Sequence, residues 1–107
     1  MKTPIDAAMD IARAERETLR WVLLTALWHA RPYGASEHVL LLAVNDAGLR
    51  ATAAEVRAEL DWLARHGLAE VGRQARPLWE AAITAAGMAV YDYREAAPAG
   101  MARPPRW

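Results

Sequence analysis

Three histidines, His29, His38 and His66, are the side chains best suited to move a proton near neutral pH. They fall on three different predicted elements and show none of the short spacings that gather imidazoles around a metal. His29 and His66 belong to the last turns of predicted helices, where an imidazole complements the carbonyl end of the helix dipole. His38 stands near the start of another helix as an exposed polar side chain. Ser36 is the single serine; it suits a helix cap and has no Gly-x-Ser-x-Gly around it. The six glycines are scattered at element ends and form no phosphate loop. With no cysteine there are no disulfides, thiolate nucleophiles or cysteine zinc sites. The expectation is therefore no catalytic site, no metal and no cofactor. Attention moves to the arginines, whose guanidinium forks suit phosphate and base edges, and to Arg50, Arg57, Arg65, Arg73 and Arg76 in particular.

Those arginines have no bulk field behind them. Thirteen basic residues balance thirteen acidic ones across 107 residues, and between Arg50 and Glu80 five arginines meet five acids. Affinity for DNA would have to come from local arrangement. The length predicts one domain, and 54% hydrophobic with 24% charged residues is a globular composition. Asp6 and Asp10 interrupt the first apolar positions and no apolar run is long enough to span a bilayer, so no export signal or membrane segment is expected and the cytoplasm is the default.

The elements that must position the arginines are legible from caps and periods. Thr3-Pro4 starts a helix, and Ile5, Ala8, Met9 and Ala12 share a phase with Leu19, Leu23, Ala26 and Ala30, interrupted by Arg16 in a charged stretch from Arg13 to Glu17. This is one long helix or two abutting ones, ending by Arg31 before Pro32. Ser36 caps a short second helix through Val39 to Val44 that closes at Gly48. Thr52-Ala53-Ala54-Glu55 has the spacing of a capping box and opens a third helix at Ala53, with Val56, Leu60 and Leu63 as its buried stripe and its end near His66. Leu68 to Val71 and Leu78 to Ile83 read as two strands joined by a turn over Gly72 to Pro77. Thr84 caps a last helix that fades around Glu95. Residues 96–107 carry Pro98, Gly100, Pro104 and Pro105 without periodicity and read as a flexible tail on a domain spanning 1–95.

The first helix also carries Trp21, Leu24 and Trp28 on the side opposite its main stripe. A helix apolar on two faces needs two partners. Either the N-terminal segment or the last helix covers the second stripe, or it is a homodimer interface.

Three helices, a two-stranded ribbon and a closing helix make a mainly α fold with a two-stranded β-hairpin, in the order of a winged helix-turn-helix. The stretch Ala58-Glu59-Leu60-Asp61-Trp62-Leu63-Ala64-Arg65-His66-Gly67-Leu68, followed by Pro77-Leu78-Trp79-Glu80-Ala81-Ala82-Ile83-Thr84-Ala85-Ala86-Gly87, resembles winged-helix proteins of the arsenic-repressor-like superfamily. More narrowly it resembles short winged-helix proteins of Mu-like transposable phages and prophages. The resemblance extends over about Arg16 to Arg106. It implies a small DNA-binding protein, a transcriptional regulator, that binds double-stranded DNA as a dimer.

On that reading the third helix lies in the major groove. Arg57 and Arg65 reach base edges, Ala54 and Ala58 allow close approach, Arg73 and Arg76 contact backbone from the wing, and Arg50 meets phosphate near the turn. Arg103 and Arg106 offer an arm from the tail, against the simpler reading of a solvated end. Trp62 and Trp79 could stack on bases, but their apolar neighbours mark them as packing. The near-neutral recognition half and the tryptophan stripe support a second reading, a protein-interaction module that docks a phage protein during assembly or DNA packaging.

Overall fold

A computed structural model describes residues 3–72 and 77–106. The first helix, α1 (Pro4–His29), is a single element of 26 residues. Thr3 accepts from the Asp6 N–H while the Asp6 carboxylate accepts from the Thr3 N–H, so two otherwise orphaned donors are satisfied at its start. Gly34 then takes a φ of +79° and lies so close to the Ala81 carbonyl that a side chain would strike it. That approach lets β1 (Ala35–Ser36) pair with the ribbon before α2 (Glu37–Asp46) begins on its Ser36 cap. The third helix, α3 (Ala53–Arg65), opens with the expected capping box between Thr52 and Glu55.

The strands β2 (Ala69–Gly72) and β3 (Glu80–Ile83) pair antiparallel, with Ala69 opposite Ile83 and Gly72 opposite Glu80. The sheet is three-stranded, not two-stranded, in the order β1-β3-β2. Its extra strand is only two residues long and merges into a helix cap, so it has no period to read from sequence. The predicted turn from Gly72 to Pro77 contains Arg73 and Arg76, which lie outside the described residues. The last helix, α4 (Ala85–Tyr91), ends earlier than its apolar pattern implies, because the chain turns at Tyr93 with a φ of +63°.

Leu19, Leu23, Leu24 and Leu27 of α1 meet Leu40 and Val44 of α2, Val56, Leu60 and Leu63 of α3, and Leu68, Ala81 and Val90 around one buried core. The second stripe of α1 is covered within the chain: Tyr91 of α4 stacks on Trp21 at 5.3 Å and on Trp28 at 4.6 Å, and Leu24 is wholly buried. Of the two roles open to that stripe, the structure displays the packing one.

The segment after α4, expected to be a free tail, lies along the body. Met101 joins the core, the Ala102 N–H donates to the Glu17 carbonyl at 3.1 Å, and Arg103 donates to the carbonyls of Val90 and Glu95. Prolines remove periodicity but leave single side chains able to anchor a segment, which is how an aperiodic stretch becomes ordered.

The opposite end of the chain behaves differently. The first three turns of α1 project past the core, leaving Ile5 72%, Met9 65% and Ile11 60% exposed. The radius of gyration, 14.1 Å, exceeds the ~13 Å of a compact chain this long, in keeping with a projecting helix.

Candidate nucleic-acid interface

The α2–α3 turn is built around Asn45. Its side-chain oxygen accepts from the Ala51 N–H at 3.0 Å, and its amide donates to the carbonyls of Leu41 and Ala51. Gly48, with a φ of +97°, lets the Leu49 N–H fold back to Val44. This brace holds Arg50 exposed at the entry to α3. Along α3, Ala53, Ala54 and Ala58 are exposed and small, and Arg65 is exposed at the far end, its Nε 3.4 Å from the Asp61 carbonyl. Arg50 and Arg65 thus bracket a face of alanines.

Arg57 sits between them but is held inward. Its Nε donates to both oxygens of Glu37, at 3.0 and 2.9 Å, and a terminal nitrogen donates to the Pro77 carbonyl. The guanidinium lies 4.7 Å from the centre of the Trp79 ring. Glu37 in turn accepts from the Trp79 N–H at 2.7 Å, and its own N–H donates to the Trp79 carbonyl. One arginine and one glutamate therefore tie α2, α3 and the strand-entry segment together. Burial alone would raise the pKa of Glu37. The Arg57 hydrogen bond, the Trp79 N–H and the Arg57 charge outweigh that and hold the carboxyl below its ordinary range. The sequence signals Arg57 as a donor; it gives no sign of Glu37 as its acceptor, because the pair is joined only by tertiary structure.

A second tertiary pair changes the charge balance of α3. Glu59 is 5% exposed and accepts from Arg20 Nε at 2.7 Å. Arg20 also donates to the Gly100 carbonyl and lies over Trp62. Glu55 serves the N-terminal cap. Of the three acids that outnumber the arginines along α3, one is therefore buried against a cation and one is held at the helix end.

Trp62 is buried and Trp79 half-buried against Arg57, so both act in packing. His66 stacks on Trp62 at 3.8 Å, with Nδ1 2.8 Å from the Trp62 carbonyl; His29 and His38 are exposed on α1 and α2. Among the described residues no three His, Cys, Asp or Glu side chains gather as metal ligands, and no helix is long and apolar enough to cross a membrane. Arg103 and Arg106 both lie over Tyr93.

No family model matches the chain, and no curated protein or solved structure is detectably similar to it.

Proposed function

We propose that the protein is a small double-stranded-DNA-binding protein on a winged helix-turn-helix scaffold, serving as a transcriptional regulator of a phage or prophage. The observation that carries this reading is the exposed alanine face of α3 between Arg50 and Arg65, with an antiparallel strand pair directly behind it in the chain. A helix with small side chains can approach the major groove closely, and flanking arginines can reach phosphate and base edges. The inward pairing of Glu59 with Arg20 and of Arg57 with Glu37 supports the reading in a modified form. Arg65 is the base-reaching donor, Arg50 and the wing arginines Arg73 and Arg76 meet backbone, and Arg57 braces the reading helix against the wing.

Fluorescence anisotropy with a labelled duplex tests these roles. Arg50→Ala/Arg65→Ala should weaken binding about tenfold or more, since the base contact of Arg65 is worth about 1–3 kcal/mol and Arg50 adds a phosphate contact. An unchanged affinity in that double variant would remove the assigned interface.

The second reading, a module that docks another phage protein, draws on the exposed apolar residues Ile5, Met9, Ile11, Val39 and Leu42. No duplex binding at low salt would favour it.

A further inference from the structure

The outward side of α3 carries methyl groups where a surface helix ordinarily carries long polar side chains. Ala54, Ala58, Asp61 and Arg65 follow one another at spacings of four, three and four, which keeps them on one face. Ala54, Ala58 and Arg65 are exposed and Asp61 is half-buried. The long side chains flanking this face are held elsewhere. Arg57 is turned to Glu37, Glu59 is buried against Arg20, and the Glu55 carboxylate accepts from the Thr52 N–H at 2.9 Å. Tertiary and cap pairing therefore leaves two methyl groups bare.

Around these alanines the charges are mixed. The groove between α1 and α3, about 380 Å³, sets Arg16 and Arg50 beside Ala54 and Ala58 together with Glu15 and Glu55. Contacts from such a rim to phosphate carry no preference among bases. A methyl group has neither donor nor acceptor, so the base-edge group it matches in the major groove is the C5-methyl of thymine. Ala54 and Ala58 stand about 6 Å apart along the helix axis, close to two base-pair steps of about 3.4 Å each. They therefore meet different base pairs.

We propose, on the basis of duplex binding by α3, that Ala54 and Ala58 are specificity-determining residues that select thymines about two base pairs apart, with Arg65 at the far end of the face taking a guanine. The Arg65 guanidinium fork fits guanine O6 and N7. Asp61, between the alanines and Arg65, repels phosphate, so this face enters the groove and does not lie across the backbone. The favoured site is thus marked by methyl groups in the major groove, a feature that no charge on the helix can read.

Two labelled duplexes of about 20 base pairs, two helical turns, provide the test. In the first, one strand alternates thymine and guanine, so that every register offers thymines two base pairs apart beside a guanine. The second is identical except that uracil replaces thymine, which removes only the C5-methyl groups. By fluorescence anisotropy of the full chain at about 50 mM salt, the uracil duplex should bind more weakly. The loss should be about four-fold for one methyl contact and about fifteen-fold for two. Ala54→Ser/Ala58→Ser, with unchanged circular dichroism, should bind the two duplexes within about two-fold of each other, because a hydroxyl contacts either base. Equal binding of both duplexes by the parent chain, or a serine variant that keeps the parent's preference, would overturn the methyl assignment and leave duplex binding in place. Binding of neither duplex would overturn duplex binding itself, and this proposal with it.

Discussion

At the residue scale the decisive contact is Arg57 with Glu37. A carboxylate buried between α2 and the strand-entry segment is tolerable because it accepts from a guanidinium and from the Trp79 N–H together. Arg57→Ala leaves that charge with the backbone donor alone. The loss should be about 1–2 kcal/mol, at the low end for breaking such a pair because the Arg57 side chain keeps 39% exposure. Urea unfolding measures it, and an unchanged midpoint would show that the pair does not brace the fold. The same carboxylate makes stability depend on acid. Its folded pKa lies below the unfolded one, so its contribution is complete above the ordinary carboxylate range near pH ~4.3. The contribution is lost as pH falls through that range to the lowered folded value. Glu37→Gln should therefore flatten the acid limb of stability, measured as the urea midpoint against pH. Arg57 was visible in the sequence as a cation on the polar side of α3, but a cation facing water and one facing a carboxylate twenty residues away have the same local pattern.

At the scale of elements, the caps carried the information. Thr3, Ser36, Thr52 and Thr84 each accept from the backbone N–H three residues on, and each begins the helix its spacing predicts. Such signals are local and survive without knowledge of the rest of the chain. What escaped the sequence depends on distant partners: β1 exists because Ala35 meets Ala81, and residues 96–106 lie along the body because Met101 finds the core and Gly100 finds Arg20. Met101→Ala should lower stability by about 2 kcal/mol. A thermal melt measures it, and an unchanged midpoint would mark the segment as a solvated tail. Gly87 lies against the Leu68 carbonyl and the Ile83 side chain, so Gly87→Ala should destabilise by about 1–3 kcal/mol through overpacking, despite alanine's better helix propensity. A more stable Gly87→Ala variant would contradict that close packing of α4 on the sheet.

At the scale of the whole molecule, a chain of zero net charge places its ion pairs unevenly. Arg20–Glu59 and Arg57–Glu37 are drawn into the fold, while Arg50 and Arg65 stay exposed at the two ends of the alanine face. Composition counts all of these charges alike; only their tertiary pairing separates the charges that support the scaffold from those left exposed. We propose that these exposed arginines bind duplex DNA, and the salt dependence of binding is the decisive measurement. Titrating the parent chain against a short duplex over about 50–200 mM salt should give log K falling linearly with log salt at a slope of about −2 to −4, the release expected for two to four phosphate contacts per copy. Absence of binding at the lowest salt, or an affinity that does not change across the series, would contradict it.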